Sequence, residues 1–185
     1  MRVVERASDG TPQGALVFFH GFWGIPEDFV PFMDKVDPAR RLHAFLPQAP
    51  THVSEGRYSW EGGEDETSAW LDTLPFPLVR TVLAGWSQGT GLAYRLALRD
   101  GRPRPAGVVA LGGSLAPDVT VEPPFPAFLG AHGAADESVP VERAREACDR
   151  LTSAGAAVEY HETAIGHQID QDVVPAIRSF LERLP

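Results

Sequence analysis

The 185 residues carry 16 basic and 25 acidic side chains, a formal net charge of −9, which disfavours general binding to nucleic acid or anionic membranes. Hydrophobic residues at 43% and charged residues at 22% match ordinary globular usage and argue against disorder over most of the chain. One cysteine, Cys148, excludes an internal disulfide framework and a Cys-rich zinc site.

In chain order, Val3 to Ala7 predicts an edge strand. The first apolar run, Ala15-Leu16-Val17-Phe18-Phe19, ends at His20-Gly21. Pro26 to Val36 is helical in pattern, with Pro31 expected to disturb or split it. Leu42 to Leu46 is the next apolar run, stopped by Pro47, and Glu64 to Leu74 is the next helix. Thr81-Val82-Leu83-Ala84 runs into Gly85, followed by a helix over Gly89 to Arg99. Val108 to Leu111 ends at Gly112-Gly113. Ala116 to Pro126 holds four prolines and cannot hold a long helix. Ala127 to Ala131 ends at His132-Gly133, then Val141 to Ala154 is helical and closed by Gly155. Val158 to His161 is the last strand and Asp170 to Leu184 the last helix. Short apolar runs bounded by Gly or Pro predict strands buried on both faces, as in a parallel sheet. Their alternation with helices predicts a three-layer α/β sandwich, with residues 1–185 as one domain. The opening residues lack an apolar signal-peptide core and no apolar run approaches about 18 residues. The expectation is a cytoplasmic protein without a membrane span.

Gly85-Trp86-Ser87-Gln88-Gly89 is a G-x-S-x-G pentapeptide. Alone the motif is weak, but here it follows a strand and opens a helix. That is the setting of a nucleophile elbow, which lifts a serine hydroxyl above the sheet. A serine needs a base within hydrogen-bond reach and an acid to orient the base. In this arrangement the order is Ser, then Asp or Glu, then His, on loops at the C-terminal ends of strands. Asp136 and His167 fit in order and place. Glu137 and Asp118 fit less well. His20 and His132 precede glycines and read as turn-shaping residues. His43 and His161 lie in strands, and His52 in a polar stretch. Acyl transfer also needs N–H donors for an oxyanion. Gln88, after the nucleophile, supplies one; Phe22, in the loop after the first main strand, is the candidate for the other, with Trp23 second. Trp23, Tyr58, Trp60 and Trp86, along with Phe22, are candidates for an apolar substrate pocket. No H-E-x-x-H occurs and the histidines are scattered, so no metal or cofactor is expected.

These segments resemble the phospholipase/carboxylesterase family of α/β-hydrolases. The likeness rests on Leu16 to Gly21, Pro47-Gln48-Ala49-Pro50, the pentapeptide, His132-Gly133 through Asp136 to Val139-Pro140, and Gly166-His167. The resemblance implies an α/β-hydrolase fold and a serine esterase with Ser87, Asp136 and His167 as triad and Phe22 and Gln88 as oxyanion donors. Two departures stand out. Only 24 residues separate Trp60 from Gly85, where the family has a longer stretch, and Gly112-Gly113 replaces a Ser-Gly. With 12 residues between Gly113 and Pro126, no cap domain fits. The expected activity is hydrolysis of short to medium acyl esters of small molecules, without interfacial activation. Thioesterase action on acyl-CoA or acyl-protein and an inactive ligand-binding hydrolase fold are the alternatives.

Overall fold

The computed structural model describes residues 1–184. The central sheet takes its strands in the order β1 (Val3–Arg6), β3 (Leu42–Pro47), β2 (Gly14–Phe19), β6 (Thr81–Trp86), β7 (Gly107–Leu111), β8 (Ala127–Gly133), β9 (Val158–Thr163). All neighbours are parallel except β1, which runs antiparallel on the edge against β3.

Alternation along each strand sends side chains to opposite faces. On β2, Ala15, Val17 and Phe19 join one core cluster, while Leu16 and Phe18 join the other. On β7, Val108 and Ala110 face the first, Val109 and Leu111 the second. The first cluster is covered by α3 (Gln88–Leu98) through Leu92 and Leu96, and by α4 (Val141–Ser153) through Ala147 and Leu151. Leu71 of α2 (Glu64–Leu71) lies in the same cluster. The second is covered by α1 (Val30–Val36) through Met33 and Val36, and by α5 (Val174–Arg183) through Ile177 and Phe180.

Two predicted helices start later than their patterns. Pro26–Phe29 forms a 3-10 turn, and α1 follows with Pro31 in its first turn. Gln171–Val173 is likewise a 3-10 turn, with Pro175 in the first turn of α5. Proline sits there because first-turn N–H groups have no intrahelical acceptor to lose. The polar stretch after Pro50, which lacks strand-like alternation, forms a hairpin: β4 (Thr51–Ser54) pairs antiparallel with β5 (Arg57–Ser59). Its turn is Glu55-Gly56, with Gly56 at φ 65°.

The edge strand is tied down by a buried ion pair. Arg6 Nη2 donates to Asp37 Oδ2 at 2.9 Å, and the two side chains are 3% and 1% exposed. Asp37 also accepts from the Leu42 and Arg41 amides at 2.9 and 3.1 Å, joining the end of α1 to the start of β3. Removing one partner of such a pair strands a buried charge. Asp37→Ala should therefore lower the unfolding free energy by about 3–5 kcal/mol, measured by urea denaturation. A loss below about 1 kcal/mol would mean that Arg6 regains water in the variant.

Candidate active site

Ser87 is the residue between β6 and α3. It adopts φ 55° and ψ −117°, a conformation that side chains other than glycine rarely take. Its amide donates to Leu111 O on β7 at 2.8 Å, and its carbonyl accepts from Thr90 N at 3.0 Å. The Thr90 hydroxyl lies 2.8 Å from both Gly85 O and Leu111 O, and accepts the Leu111 amide at 3.1 Å. The glycines on either side make the turn possible. A Cβ on Gly85 would run into the Gly89 backbone, and one on Gly89 into the Phe19 carbonyl.

His167 follows β9 and Asp136 follows β8. Backbone bonds knit their loops: Ala134 N to Thr163 O at 2.7 Å and Ala135 N to Ile165 O at 3.0 Å. A Cβ on Gly133 would strike the Ile165 and Gly166 carbonyls, so only glycine allows the loops to approach this closely. His167 Nδ1 then lies 2.7 Å from Asp136 Oδ2, and His167 Nε2 lies 2.9 Å from Ser87 Oγ. The structure thus brings Ser87, His167 and Asp136 into one hydrogen-bonded series. The rivals are elsewhere: Asp118 pairs with Arg95 at 2.7 Å, and Glu137 is exposed.

The Asp136 side chain is wholly buried. Burial alone would raise its pKa. The Val139 amide, His167 and the Ser138 amide outweigh that and hold the carboxyl below its ordinary value. The amides of Ser138 and Val139 donate to Oδ1 at 2.9 and 2.8 Å, leaving Oδ2 for His167. His132, expected only to shape a turn, does more. Its Nε2–H donates to Val139 O at 2.8 Å and lies 3.3 Å from Asp136 Oδ2. It closes the Asp136 turn from beneath. Trp86 stacks on the His167 ring, with centroids 5.2 Å apart and 29° between planes.

The loop after β2 supplies the facing wall. His20 is 1% exposed, and burial lowers its pKa. The neutral ring donates from Nδ1 to Gly21 O at 2.7 Å and accepts the Ala49 amide on Nε2 at 3.1 Å. Trp60 Nε1 donates to His20 O at 2.8 Å. Among the described residues, the N–H groups of Phe22 and Gln88 find no protein acceptor. Trp23, the second candidate donor, differs: its N–H is taken by Tyr58 O at 3.0 Å. Its carbonyl accepts from Arg57 Nη1 at 3.0 Å, so the unanticipated hairpin clamps Trp23 on both sides. The Gln88 side chain reaches the same hairpin, accepting the Trp60 amide on Oε1 at 3.0 Å and donating from Nε2 to Ser59 Oγ at 3.0 Å.

Of the five aromatic pocket candidates, Trp60 lines a cleft of about 840 Å³ together with Ser87, Gln88, Leu92 and Val139. Trp86 and His167 line a second groove of about 390 Å³. Phe22, Trp23 and Tyr58 line neither. Trp23 is 52% exposed and stacks on Phe22, and Tyr58 packs edge-on against His52. No cluster of three or more His, Cys, Asp or Glu placed to hold a metal occurs among the described residues. Nor is any described helix long and apolar enough to cross a membrane.

A phospholipase/carboxylesterase family model matches residues 67–184, which include Ser87, Asp136 and His167. The chain belongs to the phospholipase/carboxylesterase family. Its fold is that of the α/β-hydrolases. The chain is similar to esterase PE8 at TM-score 0.84 and 22% identity, covering 100% of this chain and 98% of that one. It is similar to the Bacillus cereus carboxylesterase at 0.83 and 19%, covering 99% and 94%. Zea mays acyl-protein thioesterase 2 follows at 0.76 and 19%, covering 98% and 97%. No curated protein matches the chain. Like the rest of the described chain after β7, residues 112–126 carry no inserted cap in this family member.

The contact between Gly21 and the elbow is open to test. A Cβ on Gly21 would lie 2.8 Å from the Trp86 ring and 3.3 Å from Ser87 Cβ. Gly21→Ala should push the loop carrying Phe22 away from Ser87. Misplacement by about 1 Å costs on the order of 100-fold in rate. The expected result is that loss in kcat on a p-nitrophenyl ester, with a small change in Tm by calorimetry.

Proposed function

We propose that this family member is a serine carboxylesterase that hydrolyses short to medium acyl esters through an acyl-serine intermediate. In this reading residues 1–185 form one hydrolase domain acting on a small-molecule ester. The observation that carries it is the series of 2.9 and 2.7 Å contacts from Ser87 through His167 to Asp136.

Ser87 Oγ attacks the ester carbonyl carbon while its proton passes to His167 Nε2. The carbonyl π electrons move to oxygen, and the Phe22 and Gln88 N–H groups donate to the resulting oxyanion. Asp136 accepts from Nδ1, holds the ring in the right tautomer and stabilises the imidazolium. As the tetrahedral carbon collapses, the C–O bond to the alcohol breaks and His167 returns the proton to the leaving oxygen. Water then attacks the acyl-serine, giving its proton to His167. The second collapse releases the acid and re-forms the Ser87 hydroxyl. Every step uses the chain's own groups and water. The open cleft of about 840 Å³ and the capless loop after β7 support soluble esters of modest chain length.

Ser87→Ala should reduce kcat by about 10⁶-fold with the fold retained. Asp136→Asn should reduce it about 10⁴-fold, and Glu137→Gln hardly at all. Steady-state kinetics on p-nitrophenyl butyrate read all three. Wild-type turnover in Ser87→Ala would refute the mechanism.

A pH profile is the second check. Asp136, held below the ordinary carboxylate range, stays ionised from weak acid upward. The base must be neutral to accept the proton from Ser87. kcat/KM should therefore fall toward acid and level off on the alkaline side. A flat profile between about pH 5 and 9 would remove the histidine base.

A further inference from the structure

Two cavities flank the hydrogen-bonded Ser87–His167 pair, one lined by each residue. Ser87 and Gln88 line the larger cleft, and His167 does not. His167 lines the smaller groove of about 390 Å³ with Trp86, Phe29, Phe32 and Ile169, and Ser87 does not. We infer that this groove receives the alcohol part of the ester and selects alcohols with an apolar body. The inference rests on the serine-esterase reading above.

An ester carbonyl carbon has two arms, acyl and alkoxy. The proton taken from Ser87 rides on His167 Nε2 and must be handed to the leaving oxygen. That oxygen must therefore come within about 3 Å of Nε2. Whatever is attached to it extends past the His167 ring, where the groove begins. The acyl arm is left for the cleft that starts at Ser87 and Gln88.

The chemistry of the wall decides what kind of alcohol fits. Phe29, Phe32, Trp86 and Ile169 are half-buried, so each offers apolar surface to the groove. The aromatic wall is fixed in place. Phe29 and Phe32 pack on the buried Phe18 ring with centroids 4.8 and 5.7 Å away, and Phe29 meets Trp86 at 5.8 Å. Trp86 in turn stacks on His167. Side chains held this way are ordered before the substrate arrives, which lowers the entropic cost of binding. Charge adds little. Lys35 and Asp28 both line the groove, one of each sign, and Lys35 Nζ donates to Gln171 Oε1 at 2.7 Å. A phosphate-bearing leaving group gains no net attraction there. A neutral apolar alcohol gains burial against three aromatic rings.

The test varies each arm separately. Ethanol and 3-phenylpropanol leave their butyrate esters with similar intrinsic ease but differ in apolar bulk, and ethyl acetate to ethyl hexanoate varies the acyl arm alone. In the wild type, kcat/KM should favour 3-phenylpropyl over ethyl butyrate by about tenfold or more. Phe32→Ser and Ile169→Ser should each erase most of that ratio, with the acyl-length preference unchanged. Ile169→Ser is the cleaner variant, since Phe32 also packs on Phe18. Equal rates for the two butyrates in the wild type, or a ratio both variants leave intact, would overturn the inference. So would a change in acyl-length preference, which would hand the groove to the acyl arm. Failure of the serine-esterase reading looks different: the wild type would hydrolyse none of these esters, or Ser87→Ala would hydrolyse them normally.

Discussion

The site depends on one strained residue. Ser87 at φ 55° holds its hydroxyl clear of the sheet, and such a conformation costs on the order of 1–3 kcal/mol. It persists only if the surroundings leave no alternative. Here they come from three elements at once: Leu111 on β7 takes the serine amide, Thr90 on α3 takes its carbonyl, and the Thr90 hydroxyl bridges β6 and β7. Glycine at 85 and 89 then permits an approach that any Cβ would block. The buried parallel sheet is what makes this clamp rigid, because its strands are packed on both faces.

The same economy governs the groups around the serine. Buried polar atoms must find partners, and each partner here also fixes a loop. Asp136 needs donors for a carboxylate out of water, and the amides that serve it define the turn that aims Oδ2 at His167. His20, buried and neutral, joins the loop after β2 to Ala49, and Trp60 joins it to the hairpin. The N–H groups of Phe22 and Gln88, by contrast, find no protein acceptor among the described residues.

Much of this was legible in the sequence because the signals are local. Apolar runs bounded by glycine or proline mark strands that are buried on both faces, and β2, β6, β7 and β8 lie where those runs stand. Ser87, Asp136 and His167 were singled out by chain order and by their place after strands, and the fold brings them within hydrogen-bond reach. What was missed depends on contacts between distant segments. The β4–β5 hairpin has seven exposed positions from Thr51 to Arg57, so it lacks the apolar alternation that signals a strand; only its Glu55-Gly56 turn hinted at it. Its clamp on Trp23, which takes that residue's N–H, joins positions 23 and 58 and has no local signature. In the sequence the aromatic residues cluster in the site loops and read as one pocket. The fold separates them, placing Trp60 in one cavity, Trp86 in the other, and Trp23 and Tyr58 in neither.

The central claim is that Ser87 carries the acyl group. A fluorophosphonate mimics the attacked ester and bonds irreversibly to an activated serine, so peptide mass spectrometry locates the nucleophile directly. The account predicts one label per chain, on the peptide containing Ser87, in step with loss of esterase activity, and no labelling of a His167→Ala variant. Inactivation with the label on another residue, or full activity after Ser87 is labelled, would contradict it.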